Sequence, residues 1–174
     1  MTLLDYPTAA MIRLATPADA PAICAIYNHY VRTSTITFEE VPVADEDMAQ
    51  RIEGVSASLP WYVFEHDGRV AGYAYATPWR ARSAYRFSVE STVYVSHRQP
   101  GLGIGLRLYQ TLIEHLRGLG VHTVLGGISL ENRASVTLHE RLGFKQVGHF
   151  KDVGRKFDRW IDVGYWQLLL NETE

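Results

Sequence analysis

The chain has 174 residues, 47% of them hydrophobic and 21% charged, with a formal net charge of −2 and a single cysteine, Cys24. That length holds one domain with a substantial core, and the ordinary charged fraction excludes wholesale disorder. The slightly acidic balance gives no general attraction to nucleic acid or anionic membrane, and a lone cysteine excludes an internal disulfide and thiolate-rich metal sites.

No stretch approaches the ~20 consecutive apolar residues that span a bilayer. Residues 1–10 contain Asp5 and Pro7 and lack the basic and apolar regions of a signal peptide. They are expected to form an N-terminal extension, with the folded domain at 11–170, a tail at 171–174, and the protein in the cytoplasm. Residues 12–14 read as an opening strand, and Thr16-Pro17 as a helix start. Ala20, Ile23, Ile26, Tyr30 and Val31 then recur at helical spacing to Arg32. Asp45 opens a more polar helix bearing Met48, Ile52 and Val55 on one side.

After Pro60 the period changes. Residues 61–65 and 70–77 read as strands joined by a turn at His66-Asp67-Gly68-Arg69. The alternation of Tyr73 and Tyr75 fits ordinary packing. A strand at 89–95 follows an arginine-containing loop. Ile104, Leu108, Leu112 and Leu116 then mark the buried face of a helix, which Gly118 and Gly120 end. A strand at 121–128, a helix at 133–142 and two strands at 145–153 and 159–170 complete the order β-α-α-β-β-β-α-β-α-β-β. Without repeat, linker or low-complexity tract, this predicts one mixed α/β domain.

The most informative segment is Arg98-Gln99-Pro100-Gly101-Leu102-Gly103-Ile104-Gly105-Leu106, between the 89–95 strand and the clearest helix. Glycines there serve either a plain reversal of direction or close approach of a ligand to the backbone. The unpaired N–H groups and dipole of a helix start favour a phosphate. The spacing is not G-x-G-x-x-G, and there is no G-K-[ST] ending or G-x-S-x-G elbow. The seven histidines show no metal-ligand spacing, so a catalytic metal is not implied.

Arg98-Gln99-Pro100-Gly101-Leu102-Gly103 resembles the Q/R-x-x-G-x-G/A signature of the GNAT (GCN5-related N-acetyltransferase) superfamily, whose loop amides hold the pyrophosphate of acetyl-CoA. Asn132-Arg133-Ala134-Ser135-Val136-Thr137-Leu138-His139-Glu140-Arg141-Leu142-Gly143-Phe144 resembles the family's N-x-x-[AS]-x-x-L-[YH]-x-x-x-G-[FY] helix. The phosphinothricin and methionine sulfoximine acetyltransferase branch is similar at Ile26-Tyr27-Asn28, Thr37-Phe38-Glu39, 89–95 and 156–163. The resemblance covers about 11–170. It implies a mixed, mostly antiparallel sheet flanked by helices, splayed between the fourth and fifth strands to admit acetyl-CoA, and a homodimer.

The resemblance also assigns residues. Gly101, Leu102, Gly103, Ile104, Gly105 and Leu106 belong at the pyrophosphate. Val93, Tyr94 and Val95 belong beside the pantetheine arm, where Asn132 also contacts it, and Arg141 belongs toward the phosphate end. Asn132 suits a helix N-cap equally well. Amide formation needs a neutral amine, and an α-amino group of pKa near ~8 is mostly protonated at pH 7, so a base is required. The resemblance puts Glu90 beside the amine, and its apolar neighbours favour a raised pKa. Backbone N–H groups near 93–95 suit the charge developing on the thioester oxygen. His139 stands where many relatives carry a tyrosine that protonates the leaving thiolate; an acid, a second base and a packing residue are all open for it.

The loop Trp79-Arg80-Ala81-Arg82-Ser83-Ala84-Tyr85-Arg86-Phe87 holds three arginines and three aromatics. Arginine grips an anionic head with paired hydrogen bonds, and aromatic walls exclude water. Trp79, Arg80 and Arg86 fall on the branch's W-R-x-x-x-x-[FY]-R pattern and lead as acceptor contacts. Phe38 and Glu39 close another side, with Thr92 beside Glu90, while Tyr27 and Asn28 brace the first helix. The implied reaction is direct acetyl transfer from acetyl-CoA to the α-amine of phosphinothricin, methionine sulfoximine or methionine sulfone, with no role for Cys24. The alternatives are another amine acceptor (a polyamine, an aminoglycoside or a protein N-terminus) and a non-catalytic CoA-binding module.

Overall fold

The computed structural model describes residues 10–99 and 102–170. Except for Ala10, the expected extension and tail lie outside them. Among the described residues, seven strands form one sheet in the order β1-β2-β3-β4-β5-β7-β6. They are β1 (Met11–Leu14), β2 (Trp61–His66), β3 (Arg69–Pro78), β4 (Ser88–Val95), β5 (Thr123–Ser129), β6 (Lys145–Lys156) and β7 (Arg159–Leu169). Four α-helices among the described residues flank it: α1 (Ala20–Thr33), α2 (Asp45–Ser56), α3 (Ile104–Gly118) and α4 (Arg133–Arg141).

The two faces carry separate cores. Ile104, Leu108, Leu112 and Leu116, each at most 2% exposed, press α3 onto Phe64, Ala74 and Val124 of the sheet. Opposite them, Ile23, Val31 and Ile52 of α1 and α2 pack on Trp61, Val63 and Tyr73. Tyr73 and Tyr75 both stack on Trp61 there. Such burial contributes on the order of 2 kcal/mol per large apolar side chain.

Every strand pairing is antiparallel except β4 with β5. That parallel ladder runs only from Ser88↔Thr123 to Glu90↔Leu125, although β4 stays paired with β3 as far as Gly72↔Val95. The edge of β4 beyond Glu90 therefore turns away from β5 and leaves a wedge-shaped opening, the expected splay.

Three boundaries differ from the sequence reading by more than one residue. The first helix begins with a 3-10 turn at Pro17–Asp19. Asp19 accepts from the Thr16 backbone N–H at 2.8 Å and pairs with Arg13 at 2.8 Å, so the entry is fixed before α1 starts. The fifth strand begins at Thr123, because the amides of both His122 and Thr123 bond to Phe87 O at the close of the preceding loop. β6 continues past Asp152 and Gly154, across a register shift, to Lys156. Its turn is made by Phe157 and Asp158, with φ of 50° and 57°. Two successive non-glycine residues in the left-handed region carry no glycine signal to mark a hairpin.

Candidate active site

Two hollows approach the opening from opposite faces of the sheet. On the α1/α2 face lies a cleft of about 710 Å³ into which Glu90 projects. On the α3/α4 face a groove of about 320 Å³ runs from Val95 to the start of α3. Strand alternation makes this division: Glu90 and Tyr94 of β4 line the cleft, whereas Val89 belongs to the α3 core.

Glu90 forms the last β4–β5 pair before the strands separate. Gly127 of β5 makes room for its carboxylate, since a Cβ there would meet Glu90 Oε1 at 3.0 Å and the Tyr165 ring at 3.2 Å. Burial pushes the Glu90 carboxyl above the ordinary glutamate value, and the Arg80 guanidinium partly offsets this. A carboxylate in that state is a stronger base than one in water.

Of the expected acceptor contacts, Phe38, Trp79, Arg80 and Glu90 meet in the cleft. Arg80 lies over the Trp79 ring at 4.6 Å, and Trp79 meets Tyr165 edge-on. Glu39, Arg86 and Thr92 do not line it. Glu39 pairs with Arg51 of α2 at 2.7 Å. Arg86 donates to Ser83 O at 3.1 Å and covers Phe87. Thr92 stands directly across from Tyr75 in the β3–β4 ladder. Sequence reasoning missed the far wall, where Val147, Phe150, Val153, Val163 and Tyr165 come from β6 and β7. Val163 and Tyr165 alternate along β7 and were the available signal; Val147, Phe150 and Val153 stand three apart along the irregular β6 and gave none. Tyr94, expected at the pantetheine, turns its ring into the cleft beside Tyr27. Tyr27 bonds to Thr37 Oγ1 at 2.7 Å, and Asn28 exchanges two 2.8 Å bonds with the Val43 backbone.

The opposite groove brings together Val95, Leu102, Gly103, Ile104, Gly105, Leu106 and Arg141 of the residues assigned to the coenzyme, and also Gln99 and Leu138. Gly101 lies outside the described residues. Gly103 has φ 65° and caps α3 in the left-handed region, where glycine is unstrained. The first-turn amides of α3 have no partner within the helix, and they face the groove with the positive end of its dipole. The Gln99 side-chain oxygen is buried without a hydrogen-bond donor among the described residues. Amides, an orphaned acceptor and Arg141 together fit a diphosphate joined to an amide-bearing arm. Val93 packs on the α3 core. Asn132 caps α4, accepting from Ser135 N at 3.1 Å, which leaves its NH₂ group to donate.

His139 is 2% exposed and lines neither hollow. Its Nδ1 lies 2.7 Å from Ser135 O. A carbonyl only accepts, so Nδ1 carries the hydrogen, and Nε2 accepts from Tyr109 Oη at 3.2 Å. Burial lowers its pKa, keeping it neutral with no proton to release from Nε2. Of the three roles left open for it, this geometry favours packing over acid. His139 instead fills the space beneath Gly126, whose Cβ would stand 2.5 Å from Nε2.

A family model described as an acetyltransferase (GNAT) domain matches residues 12–164. A phosphinothricin N-acetyltransferase of Streptomyces viridochromogenes is 46% identical over 156 residues, covering 90% of this chain and 85% of that protein. An L-methionine sulfoximine/L-methionine sulfone acetyltransferase of Pseudomonas paraeruginosa is 41% identical over 169 residues, covering 94% and 96%. A phosphinothricin acetyltransferase of Sinorhizobium meliloti, solved with acetyl-CoA, superimposes with a TM-score of 0.89 at 36% identity, covering 92% of this chain and 88% of that one.

Proposed function

The chain belongs to the GNAT acetyltransferases, whose cosubstrate is acetyl-CoA, and from that premise we propose that it acetylates the α-amine of a small amino acid with an anionic head. The observation that carries this reading is the Glu90 carboxylate at the vertex of the splay, in a cleft that also holds Arg80. Named relatives acting on phosphinothricin and on methionine sulfoximine or sulfone give the acceptor class.

In this mechanism the α3 amides and Arg141 bind the diphosphate, and the unpaired edge of β4 aligns the pantetheine arm. Arg80 holds the acceptor's anionic group, with Trp79 and Phe38 excluding water. Glu90 takes a proton from the ammonium group. The neutral nitrogen then attacks the thioester carbon while backbone N–H groups of β4 stabilise the charge on its oxygen. The C–S bond breaks to release CoA as a thiolate, which takes up the nitrogen's remaining surplus proton. Transfer is direct. Cys24 is buried on α1, and its thiol is pushed up to about 12 by burial and Asp45, so it offers no thiolate to carry the acetyl group.

Methionine sulfoximine, methionine sulfone and phosphinothricin, each mixed with acetyl-CoA and a thiol reagent, are expected to release CoA in step with N-acetyl product. Turnover with spermidine or an aminoglycoside instead would overturn the acceptor assignment. CoA binding without release under any amine would favour the non-catalytic module.

A homodimer and a cytoplasmic location complete the proposal. No helix among the described residues is long and apolar enough to cross a membrane, and the cytoplasm supplies acetyl-CoA. β6 is an edge strand on which Val147, Phe150 and Val153 are all more than half exposed, a surface that needs covering. Light scattering is expected to give twice the chain mass; a monomer at micromolar concentration would contradict it.

A further inference from the structure

We propose that Gly154 and Lys156 of β6 set the size of acceptor side chain the cleft accepts, by fixing where the Phe38 ring stands. This deepens the acetyltransferase reading and rests on it.

Phe38 belongs to the segment between α1 and α2. That segment has no regular structure, yet Ile36, Thr37 and Phe38 form one wall of the cleft. Side chains from three other places hold it. Thr35 Oγ1 donates to Glu131 at 2.6 Å, Tyr27 bonds to Thr37 Oγ1, and Lys156 Nζ donates to Thr37 O at 2.8 Å.

Lys156 is the unusual member. It is 2% exposed, and burying an ammonium is costly. An apolar side chain would fill the same space without that cost. What the ammonium adds is a directional grip on one carbonyl, that of the residue before Phe38.

Gly154 supplies the seat. Its φ is not in the left-handed region, so the backbone does not demand glycine. Space does: a Cβ there would stand 2.5 Å from Phe38 Cζ and 2.9 Å from Cδ2. The ring thus lies flush on the hairpin, with the cleft on its other side. A methyl at 154 would arrive from the hairpin side and drive the ring into the cleft. Loss of the Lys156 grip would free the segment and let the ring leave its seat.

The two variants are therefore expected to move selectivity in opposite directions. The readout is the ratio of kcat/KM for methionine sulfoximine to that for phenylalanine, a bulkier α-amino acid. Gly154→Ala is expected to raise the ratio at least about tenfold and Lys156→Met to lower it toward one, the scale on which a pocket discriminates by volume. KM for acetyl-CoA should stay within about twofold in both. On a Phe38→Ala background neither change should shift the ratio further. Should Gly154→Ala be too unstable to assay, Phe38→Ala is expected to restore its melting temperature, and no restoration would overturn the seat. Ratios within twofold of wild type, or acetyl-CoA KM moving as much as acceptor KM, would overturn the proposal. A wild-type protein that acetylates no amino acid would instead defeat the reading beneath it.

Discussion

Glu90→Gln is expected to lower kcat at least about 100-fold, the low end for loss of a positioned general base, while KM for acetyl-CoA changes little. The amide keeps the shape of the side chain and its place over Gly127 but cannot take a proton. The wild-type rate should rise with pH through the raised Glu90 value, because the base works only when ionised. In the variant that limb should vanish, leaving the acceptor amine's own titration near ~8. Stability should move the other way. A carboxyl whose folded pKa exceeds its unfolded value makes the folded state bind the proton more readily. Ionised Glu90 therefore costs stability above both values, and the cost disappears as pH falls through the raised value toward ~4.3. Glu90→Gln should melt no lower than wild type at pH 7.5, with the margin closing toward pH 4. Turnover within threefold of wild type would remove Glu90 from the base role.

Gly103→Asp is expected to weaken acetyl-CoA binding about 30-fold relative to Gly103→Asn at low salt, a difference of about 2 kcal/mol. The pair isolates charge. Both side chains fit, since a Cβ at 103 meets nothing within 4 Å among the described residues, and both residue types tolerate the left-handed conformation. Only the aspartate sets a negative charge against the diphosphate. Salt should narrow the gap by screening. An aspartate at the α3 N-terminus favours the helix dipole, so the weaker binder should be the more stable protein by urea denaturation. Equal Kd values for the two variants in calorimetry would place the diphosphate elsewhere.

The parts of the site legible in sequence are those carried by local geometry. The glycine bend, the strand before it and the Ile104–Leu108–Leu112–Leu116 face occupy one continuous stretch, so the groove proposed for the coenzyme could be read in order. Trp79 and Arg80 follow directly on β3 and enter the cleft where that strand ends. Other residues are decided by a neighbour far away in the chain. Glu39 is drawn to Arg51 on α2. His139 is fixed by Tyr109, thirty residues earlier, and spacing does not reveal whether a histidine's second nitrogen is free. The β6–β7 wall looks in sequence like any exposed hairpin. Only the strand order, with β7 inserted between β5 and β6, turns Tyr165 and Val163 toward Glu90's side of the sheet.

The account stands on acetyl-CoA entering the splay from the α3 face while an amino acid occupies the other. Amide hydrogen exchange tests this most directly. Acetyl-CoA should protect residues 93–95 and 103–106, and methionine sulfoximine added afterwards should protect 36–38 and 79–80. Protection by acetyl-CoA that spares 103–106, or a shared footprint for both ligands on one face, would contradict it.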